Sequence, residues 1–240
     1  MTSSEHANTV ERVMRALDGV IDPELDEPIT TLRFVSDCAV SPDGDVSVRL
    51  RLPTPQCAPN FAFLMAADAR CAVRDVPGVR DVEIVLEDHY TGAEINAALA
   101  RGEGFTGAFP GETTDDDLQS LRELFTRKAL VARQAAVCEA LLGEGAEAED
   151  VVALRVRDLP DTSVARRALA LRAELGLAHD GDAPAFVLAD GAPLAAAELT
   201  RWLRIARLIR ISLEANGGLC RSLLAIRHNL APEPEEEVTR

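Results

Sequence analysis

Apolar positions fall into two distinct rhythms along the first hundred residues. In "EHANTVERVMRALDGV", Val10, Val13, Met14, Leu17 and Val20 recur at helical spacing, which predicts an amphipathic helix. Two prolines in "IDPELDEP" end it. "TLRFVSDCAV" and "DVSVRLRLP" then read as strands joined by the turn "SPDGD". In the second, Val46, Val48, Leu50 and Leu52 alternate with Asp45, Ser47, Arg49 and Arg51, as in a strand with one buried and one wet face. "APNFAFLMAADARCAVRDV" is apolar nearly all round, so it predicts a helix laid against a sheet. "PGVRDVEIVLE" alternates again. The order helix, strand, strand, helix, strand predicts an α+β fold: a small mixed sheet with helices packed on it.

The second half carries the longer period. Residues 100–117, "ARGEGFTGAFPGETTDDD", read as a linker rich in Gly, Thr and Asp. "DDLQSLRELFTRKALVARQAAVCEALLG" predicts a long helix ending at Gly143. "VVALRVRDLP" reads as a strand, and "DTSVARRALALRAELGL" as a helix capped by Asp161 or Thr162. "APAFVLADGAPL" reads as a strand and tight turn. "AAAELTRWLRIARLIRISLEAN" and "LCRSLLAIRHNL" read as two helices broken by Gly217 and Gly218. The organisation expected is therefore an α+β domain over 8–99, a linker over 100–117, a mainly helical domain over 118–230, and a disordered acidic tail over 231–240.

Charge narrows the partners. The 240 residues carry a formal net charge of -15, which opposes nucleic acid and anionic membranes. No apolar run reaches the roughly 20 residues that span a bilayer. The N-terminus lacks the basic and apolar regions of a secretory signal, so the expected compartment is the cytoplasm. Cys38, Cys57, Cys71, Cys138 and Cys220 are scattered without a CxxC pair and are expected as free thiols. From Thr200 to Asn229 the balance inverts: six arginines, among them Arg201, Arg204, Arg207 and Arg210, face one acid, Glu214. Two readings stand for this stretch. It is a core helix whose arginines pair with the chain's carboxylates, or a docking surface for an acidic client protein.

The chemistry gathers at "RLPTPQCAPNFAFLMAADAR". Pro53 and Pro55 bias Leu52 and Thr54 to extended backbone, and Pro59 suits a first helical turn. Cys57 then falls at the N-cap or just before it, where unpaired amides and the helix dipole stabilise a thiolate. The alternative is a small buried filler at a strand–helix joint. Asp22, Glu24, Asp26 and Glu27 crowd the turn "DPELDEP", and His89 in "LEDHYTGAEINAAL" offers an imidazole to a metal. Thr91 and Glu94 have the spacing of a capping box. Cys220 follows a glycine pair at a predicted helix start, beside Arg221. If the two parts of the chain fold together, Cys57 and Cys220 could face each other.

These residues resemble a known family. "VIDPELDEPITTLRFV", then a strand ending "LPTPQCAPNFAFLMAADA", then "VPGVRDVEIVL", is similar to the small iron–sulfur cluster assembly domain of the MIP-eighteen, PaaD and SufT type. The Asp22-Pro23-Glu24 turn, the Thr54-to-Cys57 turn and the Val76-to-Val79 segment carry the likeness, over roughly residues 8–95. The resemblance implies a non-enzymatic accessory factor that helps assemble or deliver an iron or iron–sulfur centre to a client enzyme. Cys57 carries over as the functional cysteine, with Asp22, Glu24 and Thr54 around it. A transient iron or iron–sulfur cluster is the implied cofactor, with Cys57 and His89 as the metal-ligand candidates. Longer versions of the domain resemble accessory proteins of multicomponent di-iron monooxygenases, which suggests that class of client. Exposed sheet edges would permit a homodimer. The alternative function is a non-catalytic adaptor that binds its client through Arg201, Arg204, Arg207 and Arg210. The chain departs from relatives at "ITTLRFV", where they carry a glycine-rich strand, and it has no C-terminal cysteine-rich segment.

Overall fold

The alternation in "DVSVRLR" is realised as a central strand. In the computed structural model, which describes residues 3–111 and 114–231, β3 (Val35–Val40) pairs antiparallel with β4 (Asp45–Arg51). β4 in turn pairs parallel with β5 (Asp81–Glu87), giving the order β3-β4-β5. Two short strands, β1 (Ile21–Asp22) and β2 (Glu27–Pro28), form a separate antiparallel ladder around the acidic turn. Register aligns Val46 with Val82, Val48 with Ile84 and Leu50 with Leu86, so all six face one core. The opposite face is wet, where Arg49 meets Glu87 at 3.0 Å across the parallel pair.

Helices cover the apolar face. α1 (Ser3–Leu17) buries Val13 and Leu17, as its spacing predicts. α2 (Pro59–Arg74) is the crossover between β4 and β5 and buries Ala62, Phe63, Leu64, Met65, Ala66, Ala69 and Val73. α3 (Gly92–Arg101) and α4 (Phe105–Ala108) follow β5. Phe105, Ala108 and Phe109 are core residues, so the stretch expected as a linker is in part structural. Gly44 turns the β3–β4 hairpin at φ 90, and a Cβ there would sit 2.6 Å from the Gly78 carbonyl, so only glycine fits.

The helical remainder consists of α5 (Asp115–Gly143), α6 (Ala148–Ala153), a 3₁₀ turn (Val156–Asp158), α7 (Ser163–Glu174) and α8 (Ala196–His228). The run 151–160, read as a strand, forms α6 and the 3₁₀ turn instead. Glu149 and Asp150 sit in the first turn of α6 and complement its dipole. "APAFVLADGAPL" makes no ladder, only isolated bridges, of Pro184 to Arg155 and of Val187 to Pro193 around a tight turn. Thr162 caps α7 by accepting from the Ala165 amide at 3.1 Å. α8 runs unbroken through Gly217 and Gly218. Each glycine costs about 1 kcal/mol relative to alanine, and burial of a leucine such as Leu224 returns about 2 kcal/mol, so packing outweighs local propensity.

The boundaries differ from those expected of the sequence. One compact unit comprises 1–118 together with 215–240, and the other comprises 119–214. The last turns of α8 thus belong with the sheet, where Leu224 is 1% exposed in its core. The 119–214 unit has its own core around Val131, Cys138, Phe186 and Trp202. Within it Arg172 is fully buried and donates to Gln134 Oε1 and to the carbonyls of Pro184 and Ala185. Residues 232–240 of the expected tail lie outside the described residues.

Candidate functional site

The site is built where β4 gives way to α2. Leu52 and Pro53 are buried, so the chain leaves the sheet anchored. The next four residues fold back: the Cys57 amide donates to the Thr54 carbonyl at 3.4 Å. Ala58 is the N-cap of α2, with Pro59 in the first turn, so Cys57 stands immediately before the helix mouth. Ala58 has no side chain to cap that mouth, Asn60 Oδ1 accepts from the Phe61 amide at 2.9 Å, and no acidic residue sits in the first turn. Cys57 is partly exposed and packs at the margin of the core, so the sulfur is not sealed inside. The Thr54 hydroxyl lies 3.7 Å from Sγ, a hydrogen bond to sulfur.

Two loops brace this turn. After β5, the Tyr90 amide donates to the Pro55 carbonyl at 3.1 Å. His89 Nε2 lies 2.7 Å from the Cys57 carbonyl, and its Nδ1 lies 3.3 Å from the Thr91 amide. The amide can only donate, so Nδ1 accepts and Nε2–H gives its proton to the Cys57 carbonyl. Both ring nitrogens of His89 are thereby occupied. The ring braces the Cys57 loop, which does not fit the metal-ligand role expected from sequence. Thr91 is the N-cap of α3, but it makes no side-chain cap bond; its hydroxyl turns to His89 Nδ1 at 3.1 Å. The predicted capping box with Glu94 is therefore not formed.

The acidic turn is equally ordered. Asp22 is 6% exposed, and its Oδ1 accepts from the Glu24 and Leu25 amides at 2.8 and 3.0 Å. Burial pushes its carboxyl up to about 6, against the pull of those two amides. Asp26 closes the turn at φ 53, its amide donating to the Asp22 carbonyl.

The last turns of α8 complete the surroundings, all within the 1–118/215–240 unit. Arg221 pairs with Glu27 at 2.6 Å. Arg227 donates to the Leu52 carbonyl at 3.2 Å and to the Asp88 carbonyl at 3.1 Å. Immediately before the first of these anchors lies Cys220, partly buried and packed on the same core as Cys57. Burial, then the charges of Asp22, Cys57 and Glu24, push the Cys220 thiol up to about 11. Sequence spacing held a signal for this packing: Gly217, Cys220, Leu224 and Arg227 follow a three-to-four repeat on one helical face.

Other candidates lie elsewhere. Arg210 and Arg207 pair with Glu139, at 2.6 and 3.5 Å, whereas Arg201 and Arg204 are exposed. Cys71 is exposed on α2, and Cys138 is buried in the other unit's core. A concavity of about 610 Å³ lies over Ser47, Arg70, Asp81 and Asn96 and includes none of the predicted site residues. Among the described residues, no three His, Cys, Asp or Glu side chains are arranged to hold one metal ion. No described helix is long and apolar enough to cross a membrane.

The comparisons with known proteins fall on this same region. The family described as "Iron-sulfur cluster assembly protein" matches residues 10–85. An uncharacterised protein of Methanocaldococcus jannaschii is 34% identical over 95 residues, 40% of this chain and 98% of its own length. A Fe-S protein maturation auxiliary factor of Porphyromonas gingivalis is 34% identical over 84 residues, 35% of this chain and 78% of its own. An iron-sulfur cluster carrier protein of Mycobacterium leprae is 36% identical over 86 residues, 36% of this chain but only 22% of its own length. β3, β4, most of β5, the Asp22 turn and the Thr54–Cys57 turn lie inside the matched span, and through that span the chain belongs to the iron–sulfur cluster assembly protein family.

Proposed function

We propose that this protein is an accessory maturation factor that binds an iron or iron–sulfur cluster transiently at Cys57 and passes it to a client metalloenzyme. The observation that carries the reading is a partly exposed thiol held just before the mouth of α2, whose N-cap Ala58 offers no side-chain bond, inside the family span that also holds the buried acidic turn at Asp22. The names of two relatives, a cluster carrier and a maturation auxiliary factor, support delivery as the task. Thr54 hydrogen-bonds the sulfur, Asp22 and Glu24 keep the neighbourhood negative and so favourable to a cation, and His89 fixes the loop. The cluster is cargo, the work is binding and transfer rather than catalysis, and a multicomponent monooxygenase is the client class. In this reading the protein works in the cytoplasm, alone or as a homodimer through a sheet edge. The test is transfer: wild-type protein loaded anaerobically with iron and sulfide should convert an apo-ferredoxin to its cluster-bound form. Cys57→Ala should slow that conversion by at least about tenfold. Equal transfer by both proteins would remove Cys57 from the reaction.

A second reading has its own observation. On α8, Arg201 and Arg204 lie exposed near Leu208 and Ile211, which are 67% and 53% exposed. Basic and apolar groups together on one accessible helix suit an acidic client surface. Under the adaptor reading, the double variant Arg201→Glu and Arg204→Glu should lose co-purification with the client while Cys57→Ala keeps it. The opposite pattern would reject the adaptor reading.

A further inference from the structure

Most of α8's last four turns are used to hold one residue in place. Gly217 lies against the acidic turn, where an added Cβ would come 3.0 Å from Glu27 Oε1. One turn on, Arg221 grips the same carboxylate at 2.6 Å. Leu224 is sunk in the sheet's core, and Arg227 donates to the carbonyls of Leu52 and Asp88. The first anchor is five residues from Asp22 and the last is five residues from Cys57. Cys220, on the same helical face as Gly217, Leu224 and Arg227, is thereby carried across the gap between the two sequence motifs. The Arg221–Glu27 pair is about a third exposed on the arginine side, so it adds little stability. Its effect is to set the helix's register.

We infer that Cys57 and Cys220 form a two-thiol half-site for a soft, thiophilic cation, with the second thiol supplied by α8 from outside the family span. This rests on the delivery reading above and deepens it. Clusters are commonly held by four thiolates, and two from this chain leave two positions for the donor or acceptor protein. Such a half-filled set suits hand-over, because ligands can be exchanged one at a time. No third donor joins the pair among the described residues, which fits a site completed from outside. Asp22 and Glu24 bring negative charge to the same place, which favours a cation over an anion. Soft thiolates select iron–sulfur centres, zinc or cuprous copper over magnesium or calcium. On binding, each thiol forms a sulfur–metal bond and releases its proton to solvent; no electron moves and no oxidant is needed.

The test has two arms on the full chain. Dibromobimane, a short reagent that bridges two nearby thiols, is added to the unmodified reduced protein, and the peptides are mapped by mass spectrometry. The expected product joins the Cys57 and Cys220 peptides; separate alkylation of the two without a bridge would overturn the half-site. In the second arm, ferrous iron with sulfide is titrated anaerobically into wild type, Cys57→Ser, Cys220→Ser and Cys71→Ser. Cys220→Ser should weaken iron retention by at least about tenfold, and Cys71→Ser should leave it unchanged. If Cys57→Ser loses iron while Cys220→Ser retains it, this inference fails and the delivery reading stands. If Cys57→Ser also retains it, both fail. The bridging arm needs no substitution, so it decides even if Cys220→Ser folds poorly.

Discussion

At the scale of single residues, the structure separates atoms that can react from atoms that position them. Cys57 is partly exposed, and His89 spends both nitrogens on the loop beneath it. Asp22 carries the most perturbed carboxylate in the site, and this has a measurable consequence. Its folded value of about 6 exceeds the unfolded 3.8, so the folded state holds the proton more tightly. The associated stability is fully present below pH 3.8 and is lost as pH rises through about 6. The size is on the order of 3 kcal/mol, at 1.36 kcal/mol per unit for a nearly inaccessible group. Asp22→Asn removes the titration while keeping an oxygen for the Glu24 and Leu25 amides. Urea unfolding should therefore shift in favour of the Asn variant, by about that amount, between pH 4 and pH 7. A difference that does not change with pH would show that Asp22 titrates normally. The Thr54–Cys57 turn and the Asp22 turn were legible in the sequence because prolines and clustered acids mark them. The His89 brace was not, since nothing local says that an imidazole will choose a carbonyl 32 residues away.

At the scale of elements, periodicity served well where one face is buried and the other wet. β4 and β5 follow their alternation residue by residue, and α1 buries the positions its spacing names. It failed where short runs are ambiguous or tertiary packing overrides propensity. The run 151–160 is too brief for a period to decide, and its leading acids favour a helix. Gly217 and Gly218 look like a break, yet α8 continues because its last turns dock on the sheet. That docking predicts a stability effect far from the glycines. Leu224→Ala should cost about 3 kcal/mol in denaturant unfolding, as for a leucine lost from a packed core. A cost below about 1 kcal/mol would mean that the end of α8 does not share the N-terminal core.

At the scale of the whole molecule, the family span covers residues 10–85, and the remainder departs from a simple appended domain. The chain passes through a helical unit over 119–214 and returns, so that 215–231 packs on the sheet from which the chain set out. The units part at 118 on the outgoing chain and at 214 on the return, and a return leaves no compositional mark in the sequence. Its effect is to bring Arg221 to Glu27 and Arg227 to the carbonyls of Leu52 and Asp88. The 119–214 unit is stabilised independently, with Arg172 tied to Gln134 and to backbone carbonyls, and with Arg207 and Arg210 tied to Glu139. On that part of α8 Arg201, Arg204 and Arg207 are exposed, and Arg207 pairs with Glu139, so the adaptor reading belongs to this scale.

The central claim is that the Cys57 sulfur holds the cargo, and iron retention tests it most directly. Wild type and Cys57→Ala are loaded with iron and sulfide without oxygen, desalted, and analysed for iron per chain, with circular dichroism to confirm equal folding. The account predicts that the variant keeps at most about a tenth of the wild-type iron. Equal iron in two equally folded proteins would contradict it.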